Sequence, residues 1–242
     1  MSSIYDNKQF FDEYAKMSRS KQGLAGAGEW YQFKALFPDL DGKNVLDVGC
    51  GYGWHCKYAV ECGASKVLGI DLSEKMIHEA RQKNSDPKIA YRVCGLEDYD
   101  YPAESYDCVI SNLVLHYIAD IDSIFKKIYV TLKPNGVFLL NIEHPVFTPG
   151  VNQDWIYDLD GKPKYWPVDD YFYPGDRITH FLGQSVEKQH HTLAQILMGL
   201  INSGFRLEVV EEAMPSSHMM DIPGMPDEMR RPMMLLIKAV KN

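Results

Sequence analysis

A mostly parallel β-sheet with helices on both faces is the architecture this chain predicts, and three observations predict it. Buried-strand and helix patterns alternate from Lys43 to His144. The first strand, in "NVLDVGCGYGWHCKYAV", runs straight into glycines at alternate positions and then a helix-like run. A proline- and aromatic-rich stretch then interrupts the alternation after the fifth strand.

The elements follow in order. An N-terminal helical region carrying Phe10, Phe11 and Tyr14 is broken by "GLAGAGEW" before a short helix toward Phe37, so residues 1–40 read as a helical cap. "KNVLDVG" is a buried strand and "WHCKYAVEC" a helix ended by Gly63. "KVLGIDL" is a second buried strand, and "SEKMIHEARQKN" a helix with Ser73 as N-cap and Met76, Ile77 and Ala80 on its inner face. "KIAYRVC", "YDCVISNLVLHYI" and "GVFLLNIEH" supply three more strands, the last two separated by the helix "IDSIFKKIYVTLK", stopped by Pro134-Asn135-Gly136. Residues 145–188 contain Pro145, Pro149, Pro163, Pro167 and Pro174, with eight aromatics between Trp155 and Phe181. A structureless loop of that length is rare in a compact domain, so the stretch reads as a lid or antiparallel insertion over the strand ends. "HTLAQILMGLINSGF" resumes as a helix, and "FRLEVVEEA" and "MMLLIKAV" close the chain as a pair of strands, bringing the sheet to seven.

At 242 residues, 45% hydrophobic, the chain can bury one sizeable core, and a single domain is expected. Its net charge of −8 argues against a nucleic-acid partner, which needs a basic footprint. The polar start and the lack of an apolar run approaching about 20 residues predict a cytoplasmic protein with no membrane partner. Five cysteines form no C-x-x-C pair and read as reduced thiols, with no metal site expected. His190 and His191 as neighbours on an extended segment face opposite sides and cannot share one metal. Seven of the eleven methionines lie between Met214 and Met234, which leaves pocket wall, homodimer interface and simple packing open.

In an open parallel sheet the ligand sits outside the carboxyl ends of the strands, and the first strand-to-helix turn is where backbone approaches it. Gly49, Gly51 and Gly53 suit that turn, but the spacing is not G-x-G-x-x-G, because Trp54 takes the sixth position. Asp47, just before the turn, would repel a pyrophosphate and attract an ammonium or sulfonium. Asp71, in the strand end "GIDLS", stands where a carboxylate accepts hydrogen bonds from ribose hydroxyls. A ribose at one end and an amino-acid ammonium at the other describe S-adenosylmethionine.

The chain resembles class I S-adenosylmethionine-dependent methyltransferases, in the group typified by ubiquinone/menaquinone C-methyltransferase-like domains. "VLDVGCGYG" matches the group's first motif, "VLGIDLSEKMIHEAR" its second, and "CGLEDYDYPAESYDCVISNLVLHYI" its adenine loop and fourth strand. The segments "EHPVF" and "KQHHTL" are also similar to bacterial small-molecule methyltransferases. The resemblance implies a Rossmann-like fold with an antiparallel last strand. It also implies that Asp47, Gly49, Cys50, Gly51 and Gly53 form the turn at the methionine and ribose end, and that Asp71 holds the ribose. Leu72 and Met76 would pack on the adenine, and Gly95, Leu96 and Glu97 would meet its edge, although relatives often carry an Asp where Gly95 stands. Ser111, Leu113 and His116 would face the methionine portion, and Tyr14, Met17 and Arg19 would close over the cofactor.

The methyl of a sulfonium is already electrophilic, so the protein has chiefly to align the reacting atoms and exclude water. His144, just after the fifth strand, and His190, opening the helix after the lid, are the candidate general bases, with His144 preferred. At the fourth strand's end "SNLV" stands where many amino-group methylases of nucleic acid and protein carry N-P-P-[FY], which favours a small-molecule acceptor. Two other classes share part of the pattern: a nicotinamide-dependent oxidoreductase, and a protein that binds the cofactor without turnover.

Overall fold

The computed structural model describes residues 3–150 and 152–242. Three short helices lead, α1 (Lys8–Tyr14), α2 (Ser18–Gln22) and α3 (Trp30–Ala35). The alternating unit follows as β1 (Asn44–Val48), α4 (Trp54–Glu61), β2 (Lys66–Asp71), α5 (Glu74–Lys83), β3 (Ile89–Val93), β4 (Tyr106–Asn112), α6 (Ile121–Thr131) and β5 (Leu132–Glu143). Ser73 caps α5 as expected, its hydroxyl accepting from the Met76 N–H at 3.1 Å, and Met76, Ile77 and Ala80 are buried.

The insertion is two antiparallel hairpins, β6 (Ile156–Tyr157) with β7 (Pro163–Tyr165) and β8 (Gly175–Phe181) with β9 (Gln184–His190). After it come α7 (Leu193–Asn202), β10 (Phe205–Glu212), α8 (Met225–Glu228) and β11 (Met234–Lys241). Thr192 and Gln195 form a reciprocal capping box on α7. His190 therefore ends a strand of the insertion and does not open the helix, because the cap falls two residues later.

The seven strands lie in the order β10-β11-β5-β4-β1-β2-β3. All pairs from β3 to β5 are parallel, and β11, last in the chain and second from the edge, runs antiparallel to both β5 and β10. Side chains alternate between two apolar layers. Leu46, Val109 and Phe138 pack on one face, and Val45, Ile110 and Leu139 pack on the other with Cys56 of α4. One strand is shorter than the sequence suggests. β4 stops at Asn112 because Leu113 turns into the left-handed region (φ +55°), its N–H donating to Asn141 O at 2.8 Å, and a 3-10 turn follows at Leu115–Tyr117.

Among the described residues no helix is long and apolar enough to cross a membrane.

Candidate active site

The parallel order puts the carboxyl ends of β1, β2, β4 and β5 side by side, and one cavity of about 1290 Å³ opens above them. The N-terminal helices, the turn after β4 and the hairpin β8–β9 complete its wall.

At the glycine turn the Gly49 and Cys50 N–H groups both donate to Ile70 O (2.8 and 2.9 Å), so the end of β2 fixes the start of the turn. Gly51 has φ +52°, and a Cβ there would meet nothing, which leaves its backbone open to the cavity. Gly53 has a different reason to be glycine: a Cβ would fall 2.2 Å from the Tyr91 hydroxyl. Gly53 also lies off the wall, serving as the left-handed residue before α4.

Asp71 lies on the wall. Its Oδ2 accepts from the Gly51 N–H and its Oδ1 from the Ser73 N–H, each at 2.9 Å. Burial pushes its pKa up to about 6 against the pull of those two N–H groups. Each oxygen keeps a lone pair, so the carboxylate can still accept from a vicinal diol.

Asp47 is placed differently from the expectation. Alternation along β1 turns it to the face of Val45, beneath α4, where Cys56 Sγ donates to its Oδ2 at 3.3 Å. It is fully buried and not on the cavity wall, and desolvation raises its pKa to about 7. Direct capture of an ammonium by Asp47 is thereby corrected to a position behind the turn. Ser111 is likewise fully buried and off the wall.

The remaining expected residues come together. Leu72, Met76 and Leu96 supply apolar wall, with Cys50, Gly95 and Glu97 beside them. Tyr14, Met17 and Arg19 line the cavity from the N-terminal side, and Leu113 and His116 from the turn after β4. The cap is latched near Asp71, since Asp6 Oδ1 accepts from the Ser73 hydroxyl (2.7 Å) and the Lys75 N–H (3.2 Å).

His144 and His190 are not on the wall. The Val146 N–H donates to His144 Nδ1 at 3.0 Å, and Nε2 lies 3.1 Å from Glu212 Oε1. His190 is fully buried, with Nδ1 2.7 Å from the Thr148 hydroxyl and Nε2 donating to Tyr171 O at 2.9 Å, so it ties the end of β9 to earlier residues of the same insertion. Burial lowers the pKa of both, and neither presents a nitrogen to an acceptor. The correction has two causes: both nitrogens of His190 are taken by Thr148 and Tyr171, and His144, whose Nε2 has Glu212 within ion-pair range but no hydrogen-bond partner among the described residues, lies off the cavity wall.

Among the wall residues that were not anticipated, four pair with one another or with Arg19. Glu29 pairs with Arg19, Nη1 to Oε1 at 3.3 Å and Nη2 to Oε2 at 3.4 Å, although the two are ten positions apart in sequence. Glu143 ends β5, Lys188 sits on β9 and Gln153 lies between them in sequence. Lys188 Nζ donates to Glu143 Oε1 at 2.6 Å and to Gln153 Oε1 at 3.3 Å. His116 Nε2 is 3.8 Å from the same Glu143 oxygen. Glu143 and Lys188 stand in the "EHPVF" and "KQHHTL" segments, which was the available signal; Glu29 gave none.

S-adenosylmethionine fits this donor set on two features of the wall: the Asp71 carboxylate with acceptor capacity left, and the open Gly51 cradle beside it. Among the described residues no group of three or more His, Cys, Asp or Glu side chains could hold a metal ion.

Comparison with known proteins agrees. Residues 46–140 match a methyltransferase domain family. A Listeria monocytogenes crystal structure described as a candidate S-adenosylmethionine-dependent methyltransferase is 49% identical, with a TM-score of 0.87 over 91% of this chain and 99% of that one. A Mesorhizobium loti S-adenosylmethionine-dependent methyltransferase is 40% identical, with a TM-score of 0.84 over 90% of this chain and all of the other. The ubiquinone biosynthesis O-methyltransferase of Bradyrhizobium diazoefficiens is 35% identical over 104 residues, 42% of this chain and 40% of that protein. The full-length likeness and the motifs on the cavity wall lead to one conclusion: the chain belongs to the family of S-adenosylmethionine-dependent methyltransferases.

Proposed function

We propose that this enzyme moves the methyl group of S-adenosylmethionine to a small-molecule acceptor bound under the β8–β9 hairpin. The observation that carries this reading is the single cavity of about 1290 Å³ joining the Gly51–Asp71 region to Glu143, His116 and Lys188. Pockets for one small ligand usually span roughly 300–1,000 Å³, so this one has room for cofactor and acceptor together. Local likeness to a ubiquinone biosynthesis O-methyltransferase supports a small acceptor, and the net charge of −8 disfavours nucleic acid.

When bound, S-adenosylmethionine supplies an electrophilic methyl group. The chain's own residues bind, orient and exclude water. Asp71 accepts from the ribose hydroxyls, and Leu72, Met76 and Leu96 flank the adenine. Asp98 takes the place of the carboxylate that relatives often carry at position 95, because its Oδ2 stands 3.2 Å from where a Gly95 Cβ would be. Arg19, already poised on the wall with Glu29, holds the carboxylate of the methionine portion. Tyr14, Met17 and the Asp6 latch shut the site from the N-terminal side. Residues 145–188 serve the acceptor.

His116 accepts the acceptor's proton, in place of His144 or His190. It is on the wall and buried, its Nδ1 has no hydrogen-bond partner among the described residues, and its pKa falls to about 4, chiefly through burial against the pull of Glu143. The ring is thus neutral at pH 7 with a nitrogen free to accept.

Calorimetric titration with S-adenosylhomocysteine and with NAD, followed by transfer of labelled methyl to a panel of small alcohols, phenols and amines, tests the reading. Saturable S-adenosylhomocysteine binding with transfer to at least one panel member is expected. Binding of NAD in its place, or cofactor binding with no transfer to any member, would overturn it.

A further inference from the structure

With Asp47 turned beneath α4, the ammonium of the cofactor's methionine portion lacks the carboxylate that the sequence offers it. Other acidic groups of the wall are engaged elsewhere: Asp71 on Gly51 and Ser73, Asp6 on Ser73 and Lys75, and Glu143 on Lys188. Glu97 and Asp98 stand with Gly95 and Leu96 at the end assigned to the adenine. Glu29 is left.

Glu29 is buried and tied to the strand ends, with Asn141 Nδ2 of β5 donating to its Oε1 at 3.3 Å. Its Oε2 receives only Arg19 Nη2 among the described residues, and Arg19 spends two of its five N–H donors on the pair. Both residues line the cavity, and both keep bonding capacity. The pair is neutral as a whole. A lone cation would compete with Arg19 and a lone anion with Glu29, and either would leave a net charge in a low-dielectric site. A zwitterion adds one charge of each sign and keeps the balance.

His55 adds a third group. It is the second residue of α4, 9% exposed, and on the same wall. Trp30 and Phe33 hold its ring edge-on, with centroids 5.6 and 5.8 Å away. Burial, with a smaller push from Arg19, lowers its pKa to about 3, so the ring is neutral and carries one N–H. Neither ring nitrogen has a hydrogen-bond partner among the described residues, and neither is sealed off from the cavity. A neutral donor beside a guanidinium, at the positive end of a helix, suits a carboxylate.

Resting on the S-adenosylmethionine reading of this cavity, we infer that Arg19, Glu29 and His55 form a recognition site for the cofactor's amino-acid zwitterion: Glu29 receives the ammonium, and His55 donates to the carboxylate beside Arg19.

The test uses the full chain and calorimetry with S-adenosylhomocysteine, its decarboxylated analogue, its deaminated analogue, and methylthioadenosine, which lacks both charged groups. Wild type is expected to bind S-adenosylhomocysteine at least about tenfold more tightly than each of the others, the scale of a buried hydrogen bond to a charged group. His55→Phe should weaken S-adenosylhomocysteine by about tenfold and leave the decarboxylated analogue unchanged. Glu29→Gln should weaken S-adenosylhomocysteine by about tenfold and leave the deaminated analogue unchanged. A variant that loses both ligands equally would have only a structural defect and would overturn the proposal, as would wild-type affinity in either variant or a wild-type chain that binds all four ligands alike. In wild type, the His55 ring nitrogen resonances should move when S-adenosylhomocysteine is added and stay in place with the decarboxylated analogue. Resonances that respond equally to the two would overturn the proposal even where a variant does not fold. Failure of wild type to bind any of the four would refute the cofactor reading instead, and the proposal with it.

Discussion

Lys188 of the inserted hairpin donates to Glu143 at the end of β5 at 2.6 Å, with both side chains largely buried. The contact clamps the insertion to the sheet at the point where the cavity passes from the strand-end motif residues to the inserted hairpin.

Breaking that pair from one side should be costly. Lys188→Met leaves the Glu143 carboxylate buried without its cation, and about 3–5 kcal/mol of stability is expected to be lost in urea unfolding. The double variant Lys188→Met/Glu143→Leu should recover most of it, since no uncompensated charge remains. A double variant as unstable as the single would show that the cost is not electrostatic.

Asp71→Ala should weaken S-adenosylhomocysteine binding by about 1.5–3 kcal/mol, the loss of hydrogen bonds to an ionised group. The carboxylate has a raised pKa of about 6, so it is ionised above that pH and protonated below it. Wild-type affinity should therefore fall as pH drops through about 6, and the variant should lack that step. Calorimetry from pH 5 to 8 reads both.

His116→Asn should lower single-turnover methyl transfer by roughly 10²–10⁴, the range for a positioned acid or base, with S-adenosylhomocysteine affinity nearly unchanged. In wild type, kcat should hold its neutral-pH level until pH approaches about 4, where His116 protonates and can no longer accept. His144→Ala should leave kcat close to wild type. Transfer that survives His116→Asn and fails in His144→Ala would reverse the assignment.

Asp47→Asn should change stability in a pH-dependent way. The folded pKa of about 7 lies above the ordinary 3.8, so the folded chain binds the proton more tightly than the unfolded one, and ionisation at rising pH destabilises the fold. Relative to wild type, Asp47→Asn should gain stability between about pH 4 and 7, on the order of 4 kcal/mol at most. Urea unfolding at pH 4.5 and 7.5 gives the difference, and a constant offset would place Asp47 in a solvated setting.

Sequence alone determined the architecture and the cofactor, because both are written in local patterns. Strand runs such as "KVLGIDL" and the helix behind Ser73 carry their own period and cap, and the glycine turn with Asp71 twenty residues after Gly51 is a spacing that survives without coordinates. Tertiary structure decided where side chains face and what they meet. One strand position of alternation took Asp47 away from the cavity and under α4, against a sequence argument that rested on its charge. His144 and His190 have the chemistry of a base, but packing gave both His190 nitrogens to Thr148 and Tyr171 and set His144 off the cavity wall with its Nδ1 on Val146. Glu29 with Arg19, and Glu143 with Lys188 and Gln153, meet only because the cap and the insertion fold over the strand ends. No periodicity records such meetings: buried polar pairing is a property of three-dimensional neighbours, whereas hydrophobic period is a property of the chain.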